Sequence, residues 1–78
     1  MFSQRLHELR KENGLTAQYM ADKLGLSLRA YQFYESGKRE PSLNTLVKIA
    51  DILMVSTDYL LCRDEWIHSA EEFFDEHQ

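Results

Sequence analysis

Between Leu15 and Ser42 the chain reads LTAQYMADKLGLSLRAYQFYESGKREPS, two short helical patterns hinged at Gly25 and followed by a polar, basic turn. The chemistry open to such a segment is recognition rather than bond making. A helix, a tight turn and a second helix present one helix end, with its hydrogen-bonding side chains, to the major groove of DNA. Three residues carry the geometry. Ala21 is small enough to let the helices approach, Gly25 frees the backbone at the turn, and Tyr31 fills the angle between them.

The elements that hold this segment are read from periodicity and punctuation. Phe2, Leu6, Leu9 and Arg10 recur at helical spacing, and Asn13-Gly14 supplies a stop, so a first helix spans Phe2 to Asn13. Thr16 caps a second helix running to Leu24, with Tyr19 or Met20 and Leu24 inward. Ser27 caps a third, Leu28 to Ser36, closed by Gly37. Ser42, directly after Pro41, caps a fourth with Leu43, Leu46, Val47, Ala50 and Leu53 or Met54 as its apolar stripe. Ser56 caps a short fifth helix carrying Tyr59, Leu60 and Leu61. No strand pattern occurs, and the expected fold class is all-α.

At 78 residues the chain makes one domain near the lower size limit for a self-sufficient core, so an extra helix or a dimer interface carries weight. Hydrophobic residues at 44% place it among globular rather than disordered chains. The net charge of −4 divides unevenly. Residues 1–63 hold all nine Lys and Arg against seven acids, a net +2, whereas residues 64–78 hold six acids and no Lys or Arg, a net −6. A mildly basic body, residues 1–63, is thus joined to an acidic tail, residues 64–78.

In the tail, Trp66, Ile67, Ala70, Phe73 and Phe74 fall on one face of a helical pattern, with the acids mostly on its flanks or opposite side. Large apolar groups left in water forgo about 1.5–3 kcal/mol each, so this additional amphipathic helix is expected to pack on something. Three options stay open: its own core, a second copy as a dimer interface, or another protein.

With these elements in place, the chain resembles the phage-repressor-like helix-turn-helix family, the Cro, lambda-repressor and XRE class. The segments LHELRKENGLT, MADKLGLS, YESGKREPS, LVKIADIL and VSTDYLL carry the resemblance, in family order and spacing over roughly Phe2 to Arg63. It implies a lambda-repressor-like five-helix DNA-binding domain. It also implies a sequence-specific regulator that binds a palindromic operator as a homodimer, a repressor of phage or mobile-element type being the expected form. Arg10 and Glu35 match places that often pair in the family, and we count both as structural.

Docking geometry puts the N-terminal half of the third helix in the groove, making Leu28, Arg29, Gln32 and Phe33 the expected base readers, while Tyr31 and Tyr34 turn toward the body. Arg29 matches the O6 and N7 acceptors of guanine and Gln32 the N6 and N7 of adenine; Leu28 and Phe33 favour thymine methyls. Three of the four readers have a plainer alternative: Arg29 on a phosphate, Phe33 packed on the fourth helix, Leu28 exposed without consequence. Phosphate contacts are expected from Thr16, Ala17, Gln18 and Tyr19 at the start of the second helix, from Ser27, and from Lys38, Arg39 and Ser42 after the third. Ala17 stands where many family members have a Gln that reaches a phosphate, which leaves Gln18 or Tyr19 to replace it.

Enzyme chemistry is not expected. Cys62 has no His or acid at a catalytic spacing, His7, His68 and His77 are scattered, and no Gly-rich phosphate loop occurs. We expect no metal and no cofactor. The start shows no signal-peptide pattern, no stretch approaches a membrane span, and a single cysteine suits the reducing cytoplasm. The rival reading is an antitoxin- or antirepressor-like interaction module that works through its acidic aromatic tail.

Overall fold

A hydroxyl opens every helix after the first. In the computed structural model, which describes residues 1–63, the helices are α1 (Phe2–Glu12), α2 (Ala17–Leu24), α3 (Leu28–Ser36), α4 (Leu43–Leu53) and α5 (Thr57–Leu60). Thr16 Oγ1 accepts the Tyr19 amide, Ser27 Oγ that of Ala30, Ser42 Oγ that of Thr45 and Ser56 Oγ that of Tyr59, at 3.0–3.2 Å. Each bond satisfies one of the amide donors a helix start leaves unpaired and stabilises by about 1 kcal/mol. Gly25 ends α2 in the left-handed region at φ +69°, which only glycine adopts without strain. Among the described residues there is no strand, so this part of the chain is all-α.

Packing closes around a single apolar core. Leu6 and Leu9 come from α1, Met20 and Ala21 from α2, Tyr31 from α3, Leu46, Ile49, Ala50 and Leu53 from α4, and Leu60 from α5. Ala21 is fully buried and lets α2 lie against α3, whose Tyr31 is also fully buried. Met20, not Tyr19, is the inward residue of α2; Tyr19 is 41% exposed, and Leu24 is half-buried against the core. Tyr34 leans on the core with its ring edge-on to Tyr31, centroids 6.4 Å apart.

The stripe expected on α4 is corrected. Leu43 is 80% exposed, Val47 50% and Met54 90%, and Ile49, absent from the expected stripe, is fully buried. Two apolar rows share this helix and both run at helical spacing: 43, 47, 50 and 54, and 46, 49, 50 and 53. The second row faces α2 and α5. Met54 also ends the helix at φ +57°, which turns its side chain off the core. The amphipathic helix expected over 64–78, with Trp66, Ile67, Ala70, Phe73 and Phe74, lies outside the described residues.

Candidate nucleic-acid interface

The orientation of α3 is set from α1. Arg10 Nε donates to Glu35 Oε2 at 2.6 Å and Nη2 to Oε1 at 3.1 Å, while Nη1 donates to the Leu15 carbonyl at 2.9 Å. One guanidinium therefore ties α1 to the end of α3 and to the loop before α2. His7 Nδ1 stands 2.6 Å from Glu35 Oε1 and completes the cluster. Burial alone would raise the Glu35 carboxyl, but hydrogen bonds from Arg10 and His7, with the Tyr31 hydroxyl nearby, outweigh it and hold Glu35 below the usual carboxylate range. The bond to Glu35 raises Arg10 in turn. The Tyr31 hydroxyl sits close enough to feel both charges, yet it is buried without a hydrogen bond of good geometry, and desolvation pushes its ionisation far up.

With α3 so held, Leu28, Arg29 and Gln32 lie exposed along its N-terminal half. Phe33 is different: its ring is half-buried and surrounded by cations. Arg29 Cζ is 5.6 Å from the ring centroid, Lys38 Nζ 5.8 Å and Arg39 Cζ 5.5 Å. Among the described residues no carboxylate pairs with any of the three. Cations from the helix and from the following turn thus converge on one aromatic ring.

The expected phosphate contacts are more constrained than their residue types suggest. The acceptor lone pairs of Thr16 and Ser27 hold helix caps, which leaves each hydroxyl hydrogen to donate outward. Ser42 caps α4 and also donates to Thr45 Oγ1 at 3.0 Å. Ala17 is half-buried against the core, so only its amide is offered. Gln18 Nε2 donates to Asp22 Oδ1 at 2.9 Å, and Lys23 Nζ stands 5.5 Å from the exposed Tyr19 ring. Lys38 and Arg39 are exposed at the turn that Gly37 opens at φ +78°.

Three features of this arrangement were not anticipated. His7 lies three residues before Arg10, on the same helix face, and that spacing was a usable signal. Lys23 is placed four residues from Tyr19 in the same way. Arg5, by contrast, stacks 4.4 Å from the Tyr59 ring and donates to the Tyr59 carbonyl at 2.9 Å, a contact between α1 and α5 that no local spacing signals. Cys62 is half-buried, no group of His, Cys, Asp and Glu among the described residues could hold a metal ion, and no helix among them is long and apolar enough to cross a membrane.

Known proteins resemble this chain in sequence and fold. The chain is 56% identical over 61 residues to the uncharacterized HTH-type transcriptional regulator YqaE of Bacillus subtilis, covering 78% of this chain and 53% of that one. It is 51% identical over 61 residues to the SPbeta prophage-derived regulator YonR of Bacillus subtilis, covering 78% and 56%. The chain therefore spans about half the length of these curated relatives. Among solved structures it resembles the biofilm master regulator SinR in complex with DNA, with a TM-score of 0.71, 32% identity, and coverage of 78% of this chain and 98% of that one. Residues 6–60 match the helix-turn-helix family, and on that match and these identities the chain belongs to the XRE-type, phage-repressor-like helix-turn-helix family of transcriptional regulators.

Proposed function

We propose that this protein is a sequence-specific DNA-binding transcriptional regulator, a repressor of phage or mobile-element type, that grips a palindromic operator as a homodimer. One observation carries the reading: Arg29 and Gln32 lie exposed on α3, and Arg29 gathers with Lys38 and Arg39 in a cationic cluster that no carboxylate among the described residues pairs with. Such a face matches base edges on one side and phosphates on the other. In this reading Leu28, Arg29 and Gln32 face the bases, with Phe33 beside them on α3. The hydroxyls of Thr16 and Ser27, the amides at the start of α2, and Lys38 and Arg39 face the backbone. The prophage-derived relative supports the mobile-element assignment, the solved SinR–DNA complex supports duplex DNA as the partner, and the cytoplasm is the corresponding compartment.

Dimerisation has its own support. Leu43 and Val47 on α4 and Met54 at its C-terminal cap form an exposed apolar row, and Leu43 also lines a groove of about 290 Å³ with Phe2, Glu40, Pro41, Leu46 and Leu61. A single small module buries only about 600–1,000 Å² on DNA, and two copies on two half-sites roughly double it. In this reading residues 1–63 choose the site and residues 64–78 govern the company in which it binds. The decisive experiment is selection of bound duplexes from a random DNA pool with the full chain. An enriched two-fold motif with half-sites about one DNA turn apart is the expected outcome. Recovery of no motif would overturn the reading and favour an interaction module working through the tail.

A further inference from the structure

We infer that Phe33 is a positioning residue: its ring gathers the phosphate-facing Lys38 and Arg39 beside the base-facing Arg29 in one preformed cationic cluster, rather than reading a thymine methyl itself. The inference rests on the DNA-binding reading above and assigns within it a role that residue type alone does not give. A solvent-facing phenyl group on a recognition helix suggests an apolar contact to thymine. The structure instead half-buries the ring and puts three cationic groups 5.5–5.8 Å from its centroid, inside the range of cation–π attraction.

The backbone of the same residue does related work. The Phe33 carbonyl accepts the amides of Lys38 at 3.0 Å and Arg39 at 3.2 Å, and the Ser36 hydroxyl at 3.2 Å. The turn after α3 is therefore folded back over Phe33 by bonds that any side chain at position 33 retains. What the ring adds is the direction of three long side chains. Arg29 lies one helical turn before Phe33 and its head reaches toward the later turn, while Lys38 and Arg39 reach back.

Charge decides what the cluster is for. No two of the three groups can be more than about 11 Å apart, roughly the Debye length of about 10 Å at 0.1 M salt. Without an acid among the described residues to pair with them, they repel one another. The attraction of the ring offsets part of that repulsion and holds the charges where a DNA phosphate would neutralise them. Ordering them before binding lowers the entropy cost of each long side chain when the complex forms. Base reading by α3 and backbone gripping by the turn are thereby coupled through one residue.

The test compares Phe33→Leu, which keeps apolar bulk, with Phe33→Tyr, which keeps the π face, both in the full chain. The probe is the duplex enriched from the random pool, titrated at several salt concentrations, with thymine replaced by deoxyuridine in a parallel set. Thermal melting by circular dichroism checks that both variants are folded. The expected result is an affinity loss of about tenfold for the Leu variant, with a salt slope shallower by about one phosphate contact. The Tyr variant should restore both, and wild-type affinity should be indifferent to loss of the thymine methyls. A folded Leu variant with wild-type affinity and salt slope would overturn the inference. So would a wild-type loss on deoxyuridine DNA that the Leu variant no longer shows, because that marks a methyl reader. Failure of the wild-type chain to bind any duplex would instead remove the DNA-binding reading and this inference with it.

Discussion

Arg10 and Glu35 close a two-bond bridge from α1 to α3, at 2.6 and 3.1 Å, with side chains only 12% and 11% exposed. Because the same guanidinium also holds the Leu15 carbonyl, three segments take their relative positions from one group. Arg10→Met should cost about 2–3 kcal/mol in urea denaturation, since it strands a mostly buried carboxylate. The double variant Arg10→Met, Glu35→Met should regain much of that stability and still bind DNA poorly, because the orienting bond is gone. Unchanged operator affinity in a folded Arg10→Met protein would show that the bridge does not orient α3.

The same cluster sets an acid limit on stability. Glu35 is held below its ordinary value near 4.5, net of the burial that opposes the shift. A carboxylate depressed in the folded state contributes stability that is fully present above the unfolded value and is lost as pH falls through the folded one. Melting temperature should therefore drop as pH is lowered from about 4.5 through the depressed value. Glu35→Gln should be less stable at pH 7 and should lose part of that acid dependence. Parallel pH profiles for the two proteins would exclude Glu35 as its source.

Tyr31 offers a test of what its hydroxyl contributes. The ring is fully buried, and the oxygen has no hydrogen-bond partner of good geometry. Tyr31→Phe should then change stability by less than about 1 kcal/mol, since it removes a desolvated polar group and little else. The raised ionisation of Tyr31 means that stability is present below the unfolded value near 10 and declines as pH rises beyond it. The Phe variant should lose that alkaline decline. A loss of several kcal/mol at pH 7 would show instead that the hydroxyl is tightly bonded to Glu35.

The helix boundaries were legible because they depend on single residues. Thr16, Ser27, Ser42 and Ser56 each cap the helix that their position predicts, and Gly25 and Gly37 end helices in the left-handed region. The inward face of α4 was not legible, because Leu43, Val47 and Met54 repeat as regularly as Leu46, Ile49 and Leu53. Only the position of α2 and α5 decides between those rows. At the candidate interface, residue types marked Arg29, Gln32, Lys38 and Arg39. The convergence of cations on Phe33 depends on the turn folding back over α3, which no periodicity encodes.

Backbone conformation yields paired predictions of opposite sign. Met54 occupies the left-handed region at φ +57° with its side chain almost wholly in solvent, so Met54→Gly removes strain without removing a core contact. It should stabilise the fold by about 0.5–1 kcal/mol. Gly25 has the same handedness at φ +69°, and nothing lies within 4 Å of where a Cβ would stand. Gly25→Ala should therefore cost about 1 kcal/mol from strain alone, and Gly25→Asn less. A large loss for Met54→Gly in denaturant would mean that its side chain is covered in solution.

The exposed row on α4 separates stability from assembly. Leu43 and Val47 contribute little to the core, so Leu43→Lys and Val47→Lys should change the stability of the folded chain by no more than about 0.5 kcal/mol. If a second copy covers the row, the same changes desolvate a charge at the contact and shift the chain to a monomer in sedimentation velocity. Operator affinity should then fall more for a two-fold site than for an isolated half-site, because only the former uses both copies. Variants that remain dimeric would place the contact elsewhere. A truncation ending at Arg63 distinguishes the remaining case: loss of both dimer and affinity assigns the contact to residues 64–78, and a gain in affinity assigns that acidic segment a restraining role.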